Sequence, residues 1–242
     1  MLNSIAARRT LAAIVGAASI AGLAGLAPTV VIVRDRFTDN SVNTQLWLQR
    51  GFGVMSAAET NQRLQFSASV NSNNDSFAGL EVKNWGANWK YDFEIQIDYK
   101  LNLGNVSGDR EVIVGMALTA AGDFPATPTG FIASISRDAL GLVLTISRLV
   151  DGEVMASDET NIGAIQGQLT LEWDRSDDRM IARVGTNQVV LNGPWAAFGA
   201  AYGNLPLEIT IGCYALNGNR TFPGTRVYLD EFKFDGVKRA RL

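Results

Sequence analysis

The chain has 242 residues, a formal net charge of −3 and 47% hydrophobic against 19% charged residues, which argues against a disordered chain or a nucleic-acid binder recruited by bulk positive charge. It contains no histidine and a single cysteine. That excludes Ser-His-Asp and Cys-His catalysts, His-ligated metals, thiolate zinc sites and intrachain disulfides. The length suits one large domain or two small ones and is ample for a buried core.

In chain order, residues 1–33 come first. Arg8 and Arg9 are their only charges, and Thr10 to Ala27 is built from Ala, Gly, Leu, Ile and Val with one Ser and one Thr. Two readings fit. One is a secretory signal with small residues near Ala24 or Ala27 for cleavage, and Arg8-Arg9-Thr10-Leu11 is similar to a twin-arginine signal. The other is a retained apolar arm (1–33) that packs into an assembly. In neither case is a membrane span expected in the mature protein.

From Arg34 onward the texture is uniform, and residues 34–242 read as one domain. Short alternating segments are separated by Gly, Asn, Asp and Pro. Leu64, Phe66 and Ala68 alternate with polar neighbours. Phe93, Ile95, Ile97 and Tyr99 alternate with Glu94, Gln96 and Asp98, the pattern of a half-buried strand. Further segments follow over 111–119, 131–137 and 142–150. Leu169, Leu171 and Trp173 share one face, a turn at 174–178 leads into 180–184, and 185–187 turns into 189–191. Strands over 207–216 and 226–234 close the series. About twelve to fourteen regularly spaced strands predict an all-β, two-sheet antiparallel sandwich with a jelly-roll arrangement. Trp47, Trp173 and Cys213 are expected inside; Cys213 shares a face with Ile209 and Ile211. The basic tail Lys238-Arg239-Ala240-Arg241 reads as solvated.

Two stretches carry a resemblance. Asp35-Arg36-Phe37-Thr38-Asp39 followed by Trp47 is similar to the opening of concanavalin A-like lectin/glucanase (LamG-like) modules. Tyr228-Leu229-Asp230-Glu231-Phe232-Lys233-Phe234 is similar to their closing strand. The resemblance implies a jelly roll over roughly residues 34–236. The fold hosts lectins, glycosidases, adhesion modules and virion proteins. Ala-rich arms ahead of such sandwiches resemble those of some tailed-phage tail or decoration proteins.

The glycosidases of this superfamily need two acids flanking the scissile bond. Here Glu94 and Asp98 share a strand face, but Gln96 stands where the family has an acid, and a solvated face explains the same residues. No catalytic residue is therefore assigned. Asp230 sits among Tyr228, Phe232 and Phe234 in the sequence pattern, so its carboxylate is expected to be paired, hydrogen-bonded or bound to a cation. The resemblance implies a structural calcium held by Asp230 with Asp35; no other cofactor is expected.

Aromatic and amide residues on loops suit a sugar. Trp85, Trp89, Asn84 and Asn88 form one such cluster, with core packing of the tryptophans as the alternative. Tyr214, Asn217, Asn219 and Arg220 form another. The leading expectation is a non-enzymatic structural or adhesion protein of a virion or surface assembly, homo-oligomeric or part of a larger protein assembly, with a sandwich that binds surface glycans. A secreted or periplasmic carbohydrate-binding module is the alternative, and a glycoside hydrolase the third reading.

Overall fold

The computed structural model describes residues 29–68, 75–102, 111–120, 128–137, 141–193, 206–216 and 226–240. Among them are sixteen strands and no helix: β1 (Val30–Asp35), β2 (Trp47–Phe52), β3 (Met55–Thr60), β4 (Arg63–Ala68), β5 (Ser76–Val82), β6 (Trp85–Ala87), β7 (Phe93–Asn102), β8 (Glu111–Thr119), β9 (Gly130–Arg137), β10 (Leu142–Val150), β11 (Glu153–Ile162), β12 (Gln166–Asp174), β13 (Arg179–Val184), β14 (Asn187–Asn192), β15 (Glu208–Leu216) and β16 (Arg226–Ala240). Residues 1–28, which hold most of the arm or signal segment, lie outside the described residues.

The strands form two antiparallel sheets. One runs β14-β13-β12-β7-β16-β4-β3, with β1 and β6 also paired to the long β16. The other runs β11-β10-β9-β8-β15-β5-β2. This is the all-β sandwich that the alternation predicts. Phe93, Ile95, Ile97, Tyr99 and Leu101 of β7 point inward, each at most 5% exposed, while Glu94, Gln96 and Asp98 face out. Leu171, Trp173 and Cys213 are buried as expected. Tyr99 keeps its hydroxyl bonded to the Ala164 carbonyl at 2.9 Å, and burial pushes its phenol up to about 12. The additional strands are those with weak alternation. β6 has three residues, and β11 is exposed over most of its length.

Val30 to Val33 belong to the sandwich. They pair with β16, Val30 opposite Val237 and Val33 opposite Phe234. Val31 and Val33 pack on the core, while Val30 and Ile32 are 63% and 59% exposed. β1 is thus a half-buried edge strand of the domain that the sequence boundary began at residue 34.

β16 holds the largest departure from the sequence pattern. Its pairing with β7 slips between Leu229 and Glu231, leaving Asp230 as a bulge residue. Val227 and Leu229 are buried before the bulge, Phe232 and Phe234 after it. The inward parity switches from odd to even at Asp230. Its carboxylate is consequently exposed, not on a core-facing stripe. Tyr228 lies outside the main stripe, under the Arg63 guanidinium at 4.3 Å.

Candidate functional site

The outer face of the seven-stranded sheet carries a groove of about 520 Å3. Strand register builds it. Gly212 of β15 stands opposite Gly79 of β5 on one side and Gly115 of β8 on the other. Three adjacent strands therefore present no side chain along one line. The row continues through Ser134 of β9 to Thr145 of β10. In the neighbouring row, Tyr214 lies between Phe77 and Ile113. On the other flank, Thr210 lies between Glu81 and Ala117.

The glycines are needed where they are. A Cβ on Gly212 would come within 2.7 Å of the Phe77 ring and 2.9 Å of the Ala78 carbonyl oxygen. The Phe77 ring thus lies flat across β5 and β15. It contacts Tyr214 and Phe52 with centroid distances of 5.5 and 6.1 Å, and Tyr214 and Phe52 meet edge to face at 5.5 Å. This aromatic trio closes one end. Ser134, Ser136, Thr145 and Ser147 supply hydroxyls along the far strands. Such a mixture of apolar rings and spaced hydroxyls is suited to a polyhydroxylated ligand with apolar ring faces.

The opposite flank is polar and buried. Arg50 of β2 donates to Glu81 from Nε at 2.8 Å and from Nη2 at 3.4 Å. The hydrogen bond to Glu81 raises the Arg50 guanidinium against the opposing effect of burial, and Glu208 adds to the rise. Thr210 and Thr119 are 2% and 0% exposed. Their Oγ1 atoms have no hydrogen-bond partner among the described residues. Burial, with Asp75 nearby, raises the Tyr214 phenol.

Of the glycan residues expected from sequence, Tyr214 is the one the structure places in the groove. Asn217, Asn219 and Arg220 lie outside the described residues. The other cluster is corrected. Trp85 is not mid-loop but in β6, 9% exposed, with its ring 5.0 Å from Phe234 and under the Lys238 ammonium at 4.4 Å. Trp89 stacks on Trp173 at 4.2 Å and 10° and also meets Phe131. Both rings pack on aromatic neighbours, with Trp85 buried and Trp89 half-buried. Asn84 adopts a positive φ of 65° after β5, and Asn88 Oδ1 accepts from the Lys90 amide at 3.2 Å; both shape a turn. Lys238, expected in a solvated tail, extends β16 beside β6.

The residues expected to hold a metal lie on β1 and at the bulge of β16. Asp230 is the exposed bulge residue. Asp35 accepts the Phe37 amide at 3.0 Å and the Trp47 indole N–H at 2.7 Å, one on each carboxylate oxygen. No group of three or more metal-ligating side chains occurs among the described residues. Glu94 and Asp98 face outward on the other sheet, away from the groove. There Glu94 accepts from Gln96, and Asp98 accepts from Gln168 at 2.9 Å.

No protein-family model matches the sequence, and no curated protein matches it. Solved structures do match. The endo-1,3-beta-glucanase from Streptomyces sioyaensis superposes with a TM-score of 0.62 at 13% identity, covering 89% of this chain and 99% of that one. The lectin from Bauhinia forficata, solved in complex with GalNAc, gives 0.54 at 12% identity, with coverage of 88% and 99%. The carbohydrate recognition domain of Emp47p gives 0.54 at 16% identity, with coverage of 85% and 95%. The fold is the concanavalin A-like jelly roll. At these identities the likeness is one of fold, shared by lectins and hydrolases alike. Within the concanavalin A-like sandwich of this chain, the groove residues escaped sequence reading for a physical reason. A Gly, Ser or Thr at every second position of a strand reads as weak alternation. Register alone reveals that the small residues of three strands line up.

Proposed function

We propose that this chain is a non-hydrolytic glycan-binding module of a surface or virion assembly, and that the groove on the seven-stranded sheet is its binding site. The groove carries the reading: a glycine-floored trough with aromatics at one end and serine and threonine hydroxyls along the other. The relatives in fold include sugar-binding proteins, which supports the substrate class. The acids singled out for hydrolysis, Glu94 and Asp98, lie on the opposite sheet, which supports binding without cleavage. The test is a glycan array with the full chain and Tyr214→Ala. Binding that falls at least tenfold in the variant, with no sugar released on prolonged incubation, is the expected result. Absence of any glycan binding would overturn it, and so would turnover that survives purification to homogeneity. Intact mass of native material tests the setting. Retention of residues 1–27 fits an assembly arm, and a start near Gly25 or Pro28 fits secretion of the module.

A further inference from the structure

One flank of the groove is more specialised than recognition of a generic polyol requires. Glu81 stands opposite Thr210 across β5 and β15, and Glu208 stands opposite Thr119 across β15 and β8. The four form a diagonal band across β5, β15 and β8 on the outer face, 1%, 2%, 4% and 0% exposed in that order. Arg50 is the cation on this flank, held against Glu81 at 2.8 Å. Lys83, just past the end of β5, is exposed and donates to the Thr44 carbonyl oxygen at 3.3 Å.

Thr210 is the informative member. It lines the groove, yet among the described residues its Oγ1 is buried without a hydrogen-bond partner, as is that of Thr119. A buried hydroxyl left unpaired costs stability, and valine would occupy the same volume without that cost. Folding alone therefore does not account for a threonine here, whereas a ligand that pairs with it does.

Resting on the glycan reading above, we infer that this block is the specificity-setting flank of the groove, with Thr210 as the anchor for a hydroxyl of a non-acidic sugar unit. The Thr210 hydroxyl, the member of the block that lines the groove, can donate to or accept from a sugar hydroxyl. A uronic acid or sulfated unit would place another anion beside Glu81 and Glu208 in a poorly solvated site, with Arg50 already committed to Glu81.

The test uses the full chain on an array of neutral, uronic-acid and sulfated oligosaccharides, with calorimetric titration of the best neutral hit. Wild type is expected to bind neutral units and to bind their acidic counterparts at least tenfold more weakly. Thr210→Val should lose about tenfold in affinity, the worth of one hydrogen bond, while its Tm stays the same or rises. Thr210→Ser should keep the affinity. Equal binding of acidic glycans by wild type, or unchanged affinity in Thr210→Val, overturns the inference and leaves the glycan reading standing. A Tm that falls in Thr210→Val together with affinity, both restored in Thr210→Ser, marks a structural hydroxyl and also overturns it. No binding to any glycan overturns this inference and the glycan reading together.

Discussion

Single side chains tie the opening segment to the sandwich. Phe37 adopts a positive φ of 50° yet is 1% exposed, a costly backbone for a bulky residue. Asp35 holds it there by accepting the Phe37 amide, and its second oxygen takes the Trp47 indole N–H. Trp47 in turn meets the Phe232 ring edge-on at 4.8 Å. Asp35→Ala should destabilise by roughly 1–3 kcal/mol for each donor it orphans, measurable by urea denaturation; a change below about 0.5 kcal/mol would show the clamp to be dispensable. Glu59 acts on the next turn, where its Oε1 accepts the amides of Asp39 and Asn40 at 3.0 and 2.9 Å. Burial first, then the neighbouring carboxylates of Asp39 and Asp35, holds the Glu59 carboxyl above its ordinary value. With the folded value raised, the stability gained from protonating Glu59 is present at low pH. It is lost as pH rises through the folded value. Glu59→Gln keeps the acceptor and removes the charge, so its stability should fall less than that of wild type from pH 4 to pH 8. Identical pH profiles would refute the assignment.

At the scale of strands, register matters more than composition. The bulge at Asp230 lets one fifteen-residue strand, β16, bury Val227 and Leu229 on one parity and Phe232 and Phe234 on the other. Deleting Asp230 would force one pair out of the core, at a cost of at least the roughly 3–5 kcal/mol of one buried phenylalanine. Asp230→Ala, which keeps the extra residue, should stay within about 0.5 kcal/mol. Thermal melts of the two variants separate a role of the backbone count from a role of the carboxylate. A Tm that drops on chelation with EDTA and again in Asp230→Ala would support the calcium reading. The glycine row makes a similar demand on β15. Gly212→Val drives a side chain into the Phe77 ring and the Ala78 carbonyl and should cost about 1–3 kcal/mol. It should also abolish binding in the groove, since Phe77 must move.

Across the whole molecule, the two sheets share one core. Cys213 of β15 is 1% exposed, and burial pushes its thiol far above the ordinary range. It is the single cysteine of the chain, which makes it a reporter of separation of the sheets. Labelling by an aromatic disulfide reagent should be negligible in native buffer and should rise with denaturant in step with global unfolding. Fast native labelling would show that the sheets part locally. At one side the sheets are joined by the Val190 amide, which donates to Asp158 of β11 at 2.8 Å. The groove on the outer face of the seven-stranded sheet is therefore carried by a floor that the other sheet backs with packed side chains.

The all-β class, the inward set of β7, β12 and β15, and the burial of Trp173 and Cys213 are legible in the chain alone. Alternation with period two follows from the pleat of each strand and is local. The absence of histidine likewise settled which catalysts were excluded. Which strands become neighbours is set by long-range pairing, and the candidate site depends on that. Gly79, Gly115 and Gly212 are far apart in the chain and fall into one row through pairing, with Gly79 under the Phe77 ring and Gly115 and Gly212 lining the trough. The same holds where sequence reasoning failed. Asp230 left the core because a bulge shifted the parity of its strand, a change that alternation cannot register. Trp85 and Trp89 turned inward because Phe234, Trp173 and Phe131, all remote in sequence, offered rings to pack against, and burying an indole outweighs leaving it to water.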